Sequence, residues 1–335
     1  MIRKVFLISV FLLLSTIIVG AQDNDDRFTP QELADPDGIF MMIDGVEVYI
    51  IAQGEPSNPA ILLLHGFGGS TFSWRENITA LVDAGYYVIA FDRPPYGLAD
   101  KNPDVIDYTA EDYATLTHGL MDALNIESAH LVGHSAGGAV IAQFAVSYPE
   151  QVDSLIFVAG AVRIPMDESA INSETTPEPE GNGSPVGNIA GFAANLDPDN
   201  PLAVDLVRNF VTPDVFIDLL SSAYDPTFEV TDEIATGYQR VLQVDGWERA
   251  FITLFAMQEQ TTPFDFETFA MVDVPVLIVW GENDTWVPIS VGERLQQFLP
   301  NADIITYANI GHLPQEENPM AFNADVVDFL NMIDE

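Results

Sequence analysis

The chain of 335 residues contains no cysteine, and its 51 acidic residues face only 11 basic ones, of which Lys4 and Lys101 are the lysines. Without cysteine there is no disulfide, no thiol nucleophile and no Cys-based metal site, even in an oxidising compartment, so core burial must carry stability. A formal net charge of −40 makes a surface that repels nucleic acid, anionic lipid and polyanionic substrates. That excludes a nucleic-acid partner. Such acidity fits adaptation to high salt, where screening relieves self-repulsion, and equally an ordinary acidic secreted protein kept soluble by charge. No repeat of fixed period is apparent, and no acidic cluster has a calcium-ligand spacing. The expected metal and cofactor content is therefore none.

What is present is ample core material: 48% of the residues are apolar and 10% aromatic, which argues against wholesale disorder. The amino terminus reads Met1-Ile2-Arg3-Lys4, then an uncharged apolar run from Val5 to Val19, then Gly20-Ala21 and the acidic cluster Asp23, Asp25, Asp26. A basic start, a short apolar centre and small residues at the end are the pattern of a signal peptide cut after Ala21. The alternative is an uncleaved anchor, because the run approaches the roughly 17 residues that span a bilayer. The expected location is secreted or periplasmic, or membrane-anchored if that segment stays. No stable membrane partner is expected otherwise.

Short apolar runs Phe40–Met42 and Val46–Gln53 flank Asp44-Gly45, a hairpin signal. Ala60–Leu64, Tyr87–Phe91, Ala129–Val132, Leu155–Val158, Val274–Trp280 and Asp303–Tyr307 read as strands buried on both faces. Helical patterns fall between them. Thr109 with Asp112 forms a capping box ahead of an apolar face through Tyr113, Leu116, Leu120, Met121 and Leu124, and a helix over Ala139–Tyr148 stops at Pro149. Strands alternating with helices imply an α/β fold with a mostly parallel sheet flanked by helices. The alternation breaks between Arg163 and Gln258. Ser173–Pro185 is an acidic low-complexity loop expected to be mobile, and Asn200-Pro201 and Thr212-Pro213 each open a helix with a capping side chain before proline. The expected division is a signal peptide (1–21), an acidic leader (22–38), a first core segment (39–162), a helical lid insertion (163–258) and a second core segment (259–335).

A serine stands between glycines in Gly133-His134-Ser135-Ala136-Gly137, after a strand and before a helix. That is the context in which G-x-S-x-G carries a nucleophile rather than a bare turn. A serine hydroxyl needs a base to take its proton and an acid to orient that base. Downstream, Gly281-Glu282-Asn283-Asp284 ends a buried strand and Gly311-His312 follows the last strand. Glu282 and Asp284 both qualify as the acid on position alone. With His65-Gly66-Phe67-Gly68-Gly69 and Asp92-Arg93-Pro94-Pro95-Tyr96-Gly97 in the same order, the sequence resembles the α/β-hydrolase superfamily over about residues 39–335. Pro95 stands where the family often has Gly, and Ala99 where it often has Ser.

The resemblance implies Ser135 as nucleophile, His312 as base and, by the Gly-x-x-Asp spacing, Asp284 as acid. The Phe67 and Ala136 N–H groups would form the oxyanion hole. His65 and His134 take supporting roles in this reading. Trp286, Leu313, Phe210, Phe216 and Leu220 are the expected pocket side chains, with the lid helices roofing the site. A serine at the elbow excludes the aspartate-dependent dehalogenases and epoxide hydrolases. The favoured substrate is a small-molecule carboxylic ester of mainly apolar character. Lipase, lactonase, C–C hydrolase and perhydrolase activities are alternatives on the same triad, and a ligand-binding receptor is the non-enzymatic one. The glycosylation patterns at Asn77, Asn182 and Asn283 are expected to be incidental.

Overall fold

The computed structural model describes residues 27–162, 164, 193, 195–257, 264–299 and 301–334. The expected signal peptide, the start of the acidic leader and the acidic loop 173–185 lie outside the described residues. No helix among the described residues is long and apolar enough to cross a membrane.

Eight strands form one sheet: β1 (Gly38–Ile43), β2 (Val46–Gln53), β3 (Ala60–Leu64), β4 (Tyr87–Asp92), β5 (Ala129–His134), β6 (Val152–Val158), β7 (Val276–Gly281) and β8 (Ala302–Tyr307). Their order is β1-β2-β4-β3-β5-β6-β7-β8. β1 and β2 pair antiparallel through a tight turn at Asp44 (φ 50°) and Gly45 (φ 92°), the left-handed pair that an Asp-Gly hairpin turn requires. β2 runs antiparallel to β4, and every other pair is parallel.

The central strands read as unbroken apolar runs because both faces are covered. Leu62, Leu64, Leu131, Leu155, Phe157, Ile278 and Trp280 enter one core. Their neighbours Ile61, Leu63, Val132, Ile156, Val158, Leu277 and Val279 enter the other, as a period of two dictates. Helices close the two faces. On the second face lies α1 (Ile78–Asp83). On the first lie α2 (Ala110–Leu124), whose start is held by the reciprocal Thr109–Asp112 bonds, and α3 (Ala136–Ser147).

Between β6 and β7 the described chain forms α4 (Pro201–Phe210), α5 (Pro213–Ser221), α6 (Asp232–Gln239) and α7 (Trp247–Met257). The Asn200, Thr212 and Thr231 side chains accept the N–H groups of Leu202, Val215 and Ile234, so each of the first three helices starts on a capping side chain. α8 (Ile289–Phe298) and α9 (Pro319–Asp334) complete the chain, α9 burying Phe322, Val326, Phe329 and Leu330 on the second face. Asn77 is fully buried, its amide donating to Gln315 O at 3.0 Å, and Asn283 donates to Asp225 at 2.6 Å. The buried Asn77 side chain is closed to a glycan, Asn283 is exposed, and Asn182 lies outside the described residues.

Candidate active site

The turn between β5 and α3 forces Ser135 into φ 50°, ψ −119°, a backbone region costing a non-glycine residue about 1–3 kcal/mol. The surroundings hold it there. Ser135 N–H donates to Val158 O at 2.9 Å, and Ser135 O accepts from Gly138 N–H at 2.8 Å and Ala161 N–H at 2.9 Å. The flanking glycines are required by contact rather than by their own dihedrals. A Cβ on Gly133 would lie 2.5 Å from Gly137 O, and one on Gly137 would lie 2.3 Å from Leu64 O. On Gly66 it would meet the Ser135 Cβ at 2.8 Å, which presses the loop after β3 directly against the serine.

At Gly281, the last residue of β7, a Cβ would lie 2.0 Å from Gly311 O, so the acid loop and the histidine loop are in backbone contact. Asp284 is buried and His312 Nδ1 lies 2.7 Å from its Oδ2, while its Oδ1 accepts from Trp286 N–H at 2.8 Å and Val287 N–H at 2.9 Å. The carboxylate is thus pinned by two backbone donors and free to hold the imidazole. Glu282 is exposed and accepts instead from the Thr306 hydroxyl at 3.1 Å. The Trp286 ring covers the imidazole, centroids 5.5 Å apart. In this conformation no hydrogen bond joins Ser135 Oγ to His312; such bonds commonly tighten only when substrate binds.

Burial, with the neighbouring His312 ring and Arg93, pushes His134 down to about 3, so it stays neutral. Its Nε2 lies 2.9 Å from the His312 carbonyl and donates to it, tying the elbow to the histidine loop. His65 is likewise held well below its usual range by burial and by Arg93. Its Nδ1 faces Gly66 O at 2.8 Å and its Nε2 accepts from Arg93 N–H at 3.2 Å, which fixes the loop carrying Phe67. Neither the Phe67 nor the Ala136 N–H finds a protein acceptor among the described residues.

The turn that departs from the common pattern closes with a cis Pro94-Pro95 bond. Asp92 anchors it by accepting from Thr71 N–H and Leu98 N–H, each at 2.6 Å, and Lys101 donates to Ala99 O at 2.6 Å and Gly97 O at 2.9 Å. Gly97 (φ 51°) is pressed so closely on Asp92 that a Cβ would lie 2.0 Å from its Oδ2.

A cavity of about 60 Å³ adjoins the Phe67 loop. Its walls are Phe67 to Gly69, Pro95 to Gly97, and side chains from the helices between β6 and β7, among them Phe216, Leu219, Trp247, Phe251 and Leu254. Among the described residues, no charged side chain lines it. Of the expected pocket residues, Phe216 is on this wall. Leu220 and Leu313 instead pack into a separate cluster with Tyr224 and Tyr238, Trp286 sits over His312, and Phe210 is half exposed on α4 away from the wall. The reason is helical phase: Leu220 follows Leu219 by about 100°, and one faces the cavity while the other faces the core. Sequence reading passed over Trp247, Phe251 and Leu254, whose i, i+4, i+7 spacing on α7 was a usable signal.

A family model described as the alpha/beta hydrolase fold matches residues 59–319. The chain belongs to this family and is an α/β hydrolase. It is 27% identical over 289 residues to the uncharacterised hydrolase YugF of Bacillus subtilis, covering 86% of this chain and 96% of that one. It is 30% identical over 277 residues to a 2-hydroxy-6-oxononadienedioate/2-hydroxy-6-oxononatrienedioate hydrolase of Burkholderia vietnamiensis, covering 82% and 87%. Among solved structures, a meta-cleavage product hydrolase from Pseudomonas fluorescens superposes with TM-score 0.68 at 26% identity, covering 88% of this chain and 98% of that one.

Proposed function

We propose that the protein is a serine hydrolase that cleaves carboxylic esters of small-to-medium, mainly apolar substrates. Ser135 Oγ attacks the ester carbonyl as His312 takes its proton, and the oxyanion is met by the Phe67 and Ala136 N–H groups. His312 returns the proton to the leaving alcohol. Water then attacks the acyl-enzyme by the same route, giving the acid and free Ser135. Asp284 holds the ring and supports its positive charge. Fixed dipoles and a fixed base suffice for each step.

The observation that carries the substrate class is the uncharged, apolar wall of the cavity. The relatives' names favour a second reading, C–C bond hydrolysis on the same triad. A dienedioate, however, carries two carboxylates, and burying one without a cation costs several kcal/mol. Arg93 does not line the cavity: it is buried, its guanidinium donates to His65 O and lies over the Tyr96 and Tyr113 rings, 5.7 and 4.8 Å from their centroids, and its Nε is left without a partner. A net charge of −40 adds repulsion of dianions.

Two steady-state series on the purified enzyme test this: kcat/KM for p-nitrophenyl esters of graded acyl length, and for a 2-hydroxy-6-oxo-dienedioate. The ester series is expected to win by at least about a hundredfold, the scale of about 3 kcal/mol of differential binding. A higher value for the dienedioate overturns the ester reading in favour of the second.

A further inference from the structure

Two adjacent carboxylates follow the histidine, in the short helical turn Pro314–Glu317, and they do different things. Glu316 is buried and meets Arg75 at 2.7 Å, accepting also from the hydroxyls of Tyr224 (2.9 Å) and Tyr238. It fastens the segment between β6 and β7 to the core. Glu317 instead accepts three backbone N–H groups. Its Oε1 takes Gly311 N–H at 3.1 Å and Leu313 N–H at 3.2 Å, the residues on either side of His312. Its Oε2 takes Gly311 N–H at 3.0 Å and Asp225 N–H at 2.8 Å.

These bonds close a circuit. The Asp225 carboxylate accepts from the Asn283 amide at 2.6 Å, and Asn283 precedes Asp284. His312 N–H donates to Ala223 O at 2.7 Å, two residues before Asp225. The base loop, residues 223–225 and the acid loop are thereby joined through two carboxylates, Glu317 and Asp225. The approach is close enough to require glycine, since a Cβ on Gly311 would lie 2.6 Å from both Ala223 O and Asp225 N. A charged acceptor shared among three N–H groups is the strong form of such a tether.

We propose that Glu317 is a positioning residue for the hydrolysis, setting the reach of His312 toward Ser135 by holding both neighbours of the histidine. This rests on the reading of Ser135, Asp284 and His312 as the triad. The base must stand within hydrogen-bond reach of the serine, and a shift of about 1 Å at such a site costs about a hundredfold in rate. Glu317 touches no reacting atom, so its loss acts on turnover and not on substrate affinity.

The test compares Glu317→Ala and Glu317→Gln with the parent enzyme, with kcat expressed per site titrated by a fluorophosphonate. Glu317→Ala is expected to lower kcat between about ten- and a hundredfold with KM within about threefold. It is also expected to broaden or shift the low-field proton resonance of the His312 Nδ1–Asp284 bond. Glu317→Gln keeps an acceptor oxygen for Gly311 and Leu313, while its amide NH₂ faces the Asp225 N–H, so most of the lost kcat returns although the tie to residue 225 is broken. A merely structural role lowers melting temperature and the titrated fraction but leaves kcat per site and the resonance unchanged in both variants, and that result overturns the proposal. Ser135→Ala separates the two failures. If it is inactive beside an unaffected Glu317→Ala, the tether alone is wrong. If it retains turnover, the triad reading falls and the tether with it.

Discussion

The sheet with its loops and the helices between β6 and β7 build the two sides of one cavity by opposite means. On the sheet side, positions are dictated by backbone contact. Gly66, Gly133, Gly137, Gly281 and Gly311 each sit where a Cβ would lie under 3 Å from a neighbouring backbone or side-chain atom. On the helical side, Val211, Val215, Phe216, Leu219, Val241 and Leu242 supply surface that any apolar residue of similar volume would supply. One side admits a single residue type at each position. The other admits many.

The comparison is broken most directly at the chemistry. Ser135→Ala and His312→Ala are each expected to lower kcat about a millionfold, and Asp284→Asn about ten-thousandfold because the imidazole is left in the wrong tautomer. Ester turnover by the purified variants, with melting temperature as the folding control, is the measurement. Near-parental turnover in Ser135→Ala would mean that the strained elbow serves something other than nucleophilic attack.

How much was legible follows the same division. The strands from β3 to β8 were readable because two-sided burial leaves continuous apolar runs, and the capped starts of α4 and α5 because Asn200-Pro201 and Thr212-Pro213 are local signals. The elbow was readable because the glycines it needs sit at fixed offsets from the serine. His134 and His65 could be assigned only supporting roles, since their hydrogen bonds to His312 O and Gly66 O join segments whose approach is a tertiary fact. The pocket wall was least legible. Leu219 and Leu220 are equivalent in sequence, and only the seating of α5 decides which one faces the cavity. Glu316 and Glu317 lie in a run with Asn318 that reads as solvated surface, yet Glu316 is buried and each carboxylate is spent on specific donors.

A smaller effect separates lining from packing on the helical side. Phe251 stands on the cavity wall and meets Phe255 edge-to-face at 4.8 Å between centroids, and Phe255 in turn meets Phe67 at 5.4 Å. Phe251→Ala is expected to raise kcat/KM for long acyl chains over short ones by about tenfold, within the range that one or two methylenes in an apolar pocket command. Leu220→Ala, away from the wall, is expected to lower all chain lengths equally and to track a loss of about 2–5 kcal/mol of stability. The check is kcat/KM across the graded esters. A uniform loss in Phe251→Ala would make it core and not wall.

The smallest effect is electrostatic and should divide the two regions by sign. The helical segment is fastened by ion pairs: Glu248 on α7 holds Arg27 at 2.5 Å and Arg208 at 2.7 Å, Arg240 holds Asp35 at 2.8 Å, and Arg249 holds Asp199 at 2.9 Å. Arg208 and Asp199 are well exposed, so their pairs contribute at most about 1 kcal/mol and weaken with salt. The sheet is held by apolar burial that screening does not touch. Meanwhile the excess of carboxylates repels over the whole surface, and that repulsion also falls as the screening length drops from about 10 Å at 0.1 M to about 3 Å at 1 M. Raising NaCl from low to about 0.5 M is therefore expected to raise the global melting temperature by several degrees while amide exchange over residues 201–257 speeds up relative to β3 and β5. Hydrogen exchange resolved by peptide, run beside thermal melts at each salt concentration, reads both quantities. Parallel slowing in the two regions would show that relief of repulsion outweighs the lost pairs even in the helical segment. A flat melting temperature would show that the acidity is ordinary surface charge with no bearing on salt tolerance.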